Sequence, residues 1–295
     1  MKLNFTILIF TVAICTFCFT SCKKDNFKTT TKNLNTATVD SNKAAAIRFA
    51  VSFYKSVTGV YGGAELKNGI KIASVNSSAK KRPVLMSINP LCGMVIDTTA
   101  DNTIIVTDTT RYHYGGTFSF TYTCTTDAPD GYKNDNSFFT TLRTTNTLDT
   151  VHVIQKYNVK ALDNTYKLVS LNGTMETQET NQIFNGPFYP YGPQVNINTD
   201  LIYNFGQYTL NNIKVDVSSG IPDMTSGTAT LSDYNVVQNK NNTNIDFFHT
   251  IFATITFLGN HLARVEAGVA IGFAPPPPTP TYVYTVNVLT GQIVN

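Results

Sequence analysis

The stretch that decides the fold is Thr117-Phe118-Ser119-Phe120-Thr121-Tyr122-Thr123-Cys124. Aromatic and hydroxylated residues alternate in it, so an extended strand would carry one aromatic face and one polar face. A sheet with one buried and one wetted face is typically antiparallel, because parallel sheets are covered on both sides by crossover helices. The stretch therefore predicts an antiparallel sheet.

The same alternation recurs over most of the chain beyond about residue 84. It returns in four further runs: Val151, Val153, Tyr157 and Val159; Ile213, Val215 and Val217; Ile251, Ala253, Ile255 and Phe257; Tyr282, Tyr284, Val286 and Val288. Dipeptides that suit tight turns lie between or beside such runs, namely Asn68-Gly69, Asp130-Gly131, Asn172-Gly173 and Gly259-Asn260. Strands joined by hairpins in this way predict a β-meander.

One segment near the start of this region has helical spacing instead. Ser41 or Asn42 can cap a helix, and Gly62-Gly63 can end it. Apolar side chains between them recur three and four residues apart, at Ala46, Phe49, Ala50, Phe53, Val57 and Val60. The predicted fold class is thus α+β to mainly β, with one N-terminal helix packed on a curved, half-barrel-like antiparallel meander sheet.

The N-terminus has a different character. Lys2 precedes an apolar run from Leu3 to Phe19, which leads through Phe19-Thr20-Ser21-Cys22 to Lys23-Lys24-Asp25. A retained transmembrane helix is possible on length alone. Several threonines thin the run, however, and it ends at a small residue followed by cysteine, which favours a cleaved export signal over residues 1–21.

The order of residues 1–25 resembles the signal of bacterial lipoproteins, in particular those of the Bacteroidota. The resemblance implies that Cys22 is the first mature residue and is acylated, which would anchor the chain in the outer membrane with its domain facing the periplasm or the cell surface. Residues 22–40 are rich in Lys, Thr and Asn and predict a flexible tether. Residues 41–295 then form one globular domain, similar in type to β-rich envelope lipoproteins.

Two cysteines remain for the globular part. The chain has five, of which Cys15 and Cys18 leave with the signal and Cys22 carries lipid. Outside the cytoplasm Cys92 and Cys124 can form a disulfide. The alternative is a pair of buried free thiols.

Composition and motifs exclude several classes of function. A net charge of +3 with only 14% charged residues leaves no strong basic field, so no nucleic-acid partner is predicted. The four histidines, His113, His152, His249 and His261, do not have metal-ligand spacing, and no metal or other cofactor is predicted. No catalytic signature is present, which predicts a protein that is not an enzyme.

An aromatic loop is the one hint of ligand binding. Phe188, Tyr189 and Tyr191 lie among prolines and glycines, where they could contact a glycan, lipid or protein ligand or fold onto their own domain. The favoured hypothesis is a non-catalytic envelope lipoprotein with a binding or structural role. In outline the architecture also resembles periplasmic lipid-carrier half-barrels, so a carrier of lipid or another apolar ligand is the second hypothesis. A glycan- or peptide-acting hydrolase is the third.

Overall fold

In the part of the chain that the structure describes, the protein is mostly β, with one helix and a single open antiparallel sheet. A computed structural model describes residues 34–61, 66, 91–184, 199–238, 245–271 and 282–294. The helix is α1 (Leu34–Val57). The eleven strands are β1 (Val95–Ile105), β2 (Arg111–Cys124), β3 (Pro129–Arg143), β4 (Thr147–Ala161), β5 (Leu168–Phe184), β6 (Thr199–Asp216), β7 (Asp223–Gln238), β8 (Ile245–Gly259), β9 (Leu262–Ile271), β10 (Tyr282–Asn287) and β11 (Gln292–Val294).

Neighbours in the sheet are neighbours in sequence. The strand order runs from β1 to β11 without a crossover, and each adjacent pair is antiparallel. This confirms the predicted meander. The chain also divides into two compact units, residues 1–40 and residues 41–295.

The predicted alternation of buried and exposed residues is confirmed in the strands. Phe118, Phe120 and Tyr122 of β2 are at most 5% exposed, while the intervening hydroxylated residues face outward. Val153, Tyr157 and Val159 of β4 are buried in the same way, as are Ile213 and Val215 of β6. We call the face that carries these side chains the inner face of the sheet.

Side chains from α1 belong to the same core. Ala46, Phe49, Ala50, Phe53 and Val57 are at most 1% exposed. The ring of Phe53 lies 5.4 Å from that of Tyr208 and 5.2 Å from that of Phe257, measured between ring centres. Burial of one such aromatic side chain stabilises a fold by about 1.5–3 kcal/mol.

The bounds of the helix differ from the prediction at both ends. α1 begins at Leu34, before the predicted cap at Ser41 or Asn42, so residues 34–40 of the predicted tether are helical. Once a packed segment has nucleated a helix, each further residue extends it at little cost, even in a polar stretch. The helix ends before Gly59, whose φ of +78° suits the residue after a helix, rather than at Gly62-Gly63. Val60 therefore lies outside α1 and is 61% exposed.

The predicted turns are correct in one case and wrong in two. Gly259-Asn260 lies at the β8–β9 hairpin, where Asn260 and His261 have φ values of +53° and +57°. Asp130-Gly131 is part of β3, and the preceding turn spans residues 125–128. Asn172-Gly173 lies inside β5, because β4 and β5 are joined instead by residues 162–167. Asn68-Gly69 is outside the described residues.

Asn172 and Gly173 lie where the β5–β6 register is interrupted. The ladder shifts between Leu171 and Gly173, and the side-chain Oδ1 of Asn172 accepts a hydrogen bond of 2.8 Å from the backbone N–H of Asn212. Gly173 has a φ of +140°, and a Cβ there would lie 2.4 Å from the carbonyl oxygen of Lys156. The dipeptide has the chemistry of a turn, but it serves a bulge between long strands.

We expect Gly173→Ala to lower the free energy of unfolding by about 1–3 kcal/mol more than Gly220→Ala does. Gly220 is the matched control, because its φ of +82° is also positive but a Cβ there would meet nothing within 4 Å. Urea unfolding followed by circular dichroism would measure the difference. Equal losses would show that the close approach to Lys156 is unimportant.

Candidate functional site

A group of polar side chains lies where α1 meets the inner face of the sheet. We call Arg48, Ser52, Tyr61, Glu179 and Asp233 the α1 polar cluster. Arg48 and Ser52 are one helical turn apart, so they lie on the same side of α1. Asp233 of β7 and Glu179 of β5 have the sequence parity of inner-face residues, and this parity brings both carboxylates toward the helix.

Arg48 and Asp233 form the central ion pair of the cluster. Nη1 of Arg48 donates to Oδ1 of Asp233 at 3.1 Å, and Nη2 donates to Oδ2 at 2.6 Å. The Asp233 side chain is 2% exposed, whereas that of Arg48 is 24% exposed. A paired fork of this kind is the strongest way to hold a buried carboxylate, because both oxygens receive a charged donor.

Ser52, Tyr61 and Glu179 extend the cluster. The Ser52 hydroxyl donates a hydrogen bond to Oε1 of Glu179, and its oxygen lies 3.3 Å from the hydroxyl oxygen of Tyr61. The carbonyl oxygen of Tyr61 accepts a hydrogen bond from the Thr140 hydroxyl of β3. The segment after α1 is thereby held to the sheet through side chains on two strands.

Burial sets the protonation behaviour of these groups. It raises the pKa of Asp233, and the charge and hydrogen bonds of Arg48 oppose that rise. Burial, together with the nearby charge of Glu179, also raises the pKa of the Tyr61 hydroxyl. The phenol therefore stays neutral near pH 7 and acts as a hydrogen-bonding group within the cluster.

A second series of buried, hydrogen-bonded side chains reaches the end of α1. The Asn136 side chain accepts a hydrogen bond of 3.1 Å from the backbone N–H of Ser119, and its Nδ2 donates to Oε1 of Gln155 at 2.9 Å. Nε2 of Gln155 donates to the carbonyl oxygen of Ser56 at 2.7 Å. Both amide side chains are fully buried, so these bonds satisfy groups that would otherwise destabilise the core.

Cys92 and Cys124 form a disulfide with a Cα–Cα distance of 5.7 Å. Cys124 is the last residue of β2, and Cys92 precedes β1. The bond therefore fastens the first strand of the sheet to its neighbour at one end.

An open depression lies on the outer face of β1, β2 and β3. Its lining includes Asp97, Ser119 and Asp135, which are direct neighbours across the three strands, and its volume is about 400 Å³. The Ser119 hydroxyl donates to Oδ1 of Asp97 at 2.6 Å. Both carboxylates are exposed, so they lack the apolar enclosure in which a carboxyl group works as a general acid.

Of the three sequence-predicted sites, the structure describes only the cysteine pair. Cys22 and the aromatic loop with Phe188, Tyr189 and Tyr191 lie outside the described residues. Cys92 and Cys124 are paired, as described above.

Three of the four histidines have described side chains, and each contacts a different partner. Nε2 of His113 lies 2.7 Å from Oδ1 of Asp101, and Nε2 of His152 lies 2.9 Å from the Ser137 hydroxyl oxygen. His261 has its Nδ1 3.6 Å from Oδ1 of Asp223. Within the described part of the chain, no group of three or more His, Cys, Asp and Glu side chains is placed to hold a metal ion.

Sequence analysis did not identify Arg48, Asp233, Asn136 or Gln155. A signal for Asp233 was present, because it has the same parity as the buried Ala229 and Leu231. Gln155 likewise stands between the buried Val153 and Tyr157. A polar residue at an apolar position of an alternating strand indicates a buried partner, although it does not say which one.

Comparison with known proteins found no match. No family model matches the chain, and no curated protein or solved structure matches it either. Among the helices of the described residues, none is long and apolar enough to cross a membrane.

We expect the Cys92→Ser/Cys124→Ser double variant to unfold with a free energy about 3–4 kcal/mol lower than that of the native chain, because the disulfide closes a long loop. Urea titration would measure this change. Dithiothreitol should weaken the native protein to a similar extent and leave the double variant unaffected. An unchanged unfolding midpoint in the variant would contradict the stabilising role.

Removing the Arg48 side chain should destabilise the fold, because it leaves the buried Asp233 carboxylate without its cation. We expect Arg48→Met to reduce the free energy of unfolding by about 3–5 kcal/mol, and Arg48→Met/Asp233→Leu to restore much of that loss. Lys43→Met is the matched control on α1, since the Lys43 side chain is exposed and lies outside the α1 polar cluster. Thermal and urea unfolding would rank the variants, and a double variant weaker than Arg48→Met would refute the argument.

Proposed function

We propose that the chain is a non-catalytic lipoprotein, anchored in the outer membrane through acylated Cys22, with a binding or structural role at the cell envelope. The observation that carries the proposal is the order of the N-terminal residues. A basic start and an apolar run lead to Phe19-Thr20-Ser21-Cys22, and a polar stretch follows. Acylation at Cys22 would supply two or more chains, which is enough for stable anchoring.

The disulfide supports export of the domain. Cys92 and Cys124 are bonded in the structure, and such bonds persist in oxidising compartments such as the bacterial periplasm and the cell surface. A lipoprotein domain beyond the inner membrane would meet this condition. The bond agrees with the proposed compartment and does not depend on the reading of the signal.

The packing next to α1 favours a structural or surface-binding role over a carrier. We also propose that α1 packs on a curved, half-barrel-like sheet. A carrier protein of this shape would bind its ligand on the concave side of the sheet. Phe49 and Phe53 are at most 1% exposed, and the ring of Phe53 lies beside those of Tyr208 and Phe257. A ligand that occupied the same space as α1 would have to displace these side chains.

Hydrolysis is the least supported of the three hypotheses. Asp97 and Asp135 line one depression, but they lie on the solvent side of the sheet and are exposed. Glycoside hydrolysis requires one carboxyl group to stay protonated while the other is ionised, which calls for two unlike environments. The two aspartates have similar surroundings, so the depression does not favour this chemistry.

The Cys22→Ala variant tests the anchor. In bacteria that process lipoproteins, we expect the native chain to incorporate labelled palmitate and to sediment with the outer membrane, and the variant to lose nearly all of both properties. Cys18→Ala is the matched control, because it changes a cysteine of the same segment and should leave labelling and location unchanged. Equal labelling of the native chain and the Cys22→Ala variant would refute the proposal.

A further inference from the structure

Within the described ranges, the first strand of the sheet has a partner on one side only. β1 is the terminal strand in the sheet order, and among the described residues only β2 pairs with it. Its register with β2 runs without a shift from Val95 to Ile105. At about 3.4 Å per residue the edge is about 37 Å long.

Backbone bonds at the two ends of β1 show which of its residues point away from β2. The N–H of Tyr122 donates to the carbonyl oxygen of Met94 at 2.9 Å, and the N–H of Val106 donates to that of Thr110 at 3.0 Å. Met94 and Val106 are both even-numbered, and bonding alternates along an antiparallel strand. The N–H and C=O groups of the odd-numbered residues of β1 therefore point outward.

Two usual protections of an edge strand, namely basic or proline residues and a bulge, are missing from β1 itself. Its sequence, VIDTTADNTII, contains no Lys, Arg or Pro, and its ladder has no bulge. The two carboxylates already have partners on β2, because Asp97 accepts a hydrogen bond from Ser119 and Asp101 lies 2.7 Å from His113. Large apolar side chains near its ends are exposed: Val95 at 52%, Ile104 at 43% and Ile105 at 66%.

The strand is complementary to itself in the antiparallel sense. With Ala100 on a two-fold axis, Val95 faces Ile105 of a second copy, and Ile96 faces Ile104. Asp97 then faces Thr103, and Thr99 faces Asp101, so carboxylates meet hydroxyls. Odd-numbered residues of one copy pair with odd-numbered residues of the other in this register, so each outward N–H meets an outward C=O. The inner faces of the two sheets then lie on the same side of the joined sheet.

We propose that β1 pairs with β1 of a second copy of this chain, forming a two-fold dimer through a continuous antiparallel sheet. A two-fold pairing of this kind uses the same surface on both partners and closes after two copies. The opposite edge, β11, spans only Gln292–Val294 and offers a much shorter ladder. Pairing of β1 with β11 would also leave free edges and would continue into open chains.

Cysteine cross-linking of the full-length chain in membranes tests the register. Ala100 would face its own copy at a non-hydrogen-bonded position, where Cα atoms lie about 4.5 Å apart, within the range that a disulfide spans. Mild oxidation should therefore convert Ala100→Cys to a covalent dimer. Thr98→Cys is the matched control, because its two copies would be about 13 Å apart. The pair Thr98→Cys/Asn102→Cys should link again, since these positions face each other.

Two outcomes would overturn the proposal. One is the absence of a covalent dimer from both Ala100→Cys and the double variant. The other is linking of Thr98→Cys to the same extent as Ala100→Cys, which would indicate random collision.

A proline at an outward position tests the backbone bonds directly. Thr99→Pro removes one outward N–H and leaves the ladder with β2 intact. We expect this variant, solubilised in detergent, to have the mass of a monomer, and Thr99→Val to have the mass of a dimer like the native chain. A dimer mass for a folded Thr99→Pro would contradict the proposal, and if Thr99→Pro fails to fold, the cross-linking pattern decides alone.

Discussion

A sheet whose strands are apolar on one side only must remove that side from water, and this constraint governs the whole domain. Burial of apolar surface is the dominant favourable contribution to folding. In this chain the inner face carries rings from many strands, among them Phe118, Tyr157, Tyr208 and Phe257. The buried apolar residues of α1 belong to the same cluster of core side chains.

The polar contacts between helix and sheet fix the position of the helix more narrowly than the apolar contacts do. Phenylalanine rings can pack in several arrangements, but the paired bonds of Arg48 to Asp233 and the bond from Gln155 to the Ser56 carbonyl each admit one position. Leaving such a buried group unpaired costs far more than its bond contributes. We infer that these contacts set the position of α1 along the strands.

The two faces and the two edges of the sheet have different chemistry. The outer face is rich in threonine and carries the depression with Asp97 and Asp135. The disulfide holds one end of β1 to β2, while the outward backbone groups of β1 have no strand partner among the described residues. A first strand that is fastened to its neighbour and has no described partner on its other side suits the pairing with a second copy proposed above.

The sequence by itself determined the mainly β class, the meander order and the buried side of the strands in which alternation was recognised, because alternation and hairpin chemistry are local properties. The β8–β9 hairpin followed from Gly259-Asn260 for the same reason. Only the tertiary structure decided that Asn172-Gly173 belongs to a bulge, that α1 starts at Leu34, and that Arg48 meets Asp233. Those outcomes depend on which strands lie side by side and on contacts between residues as far apart as 48 and 233, and no local pattern encodes such distances.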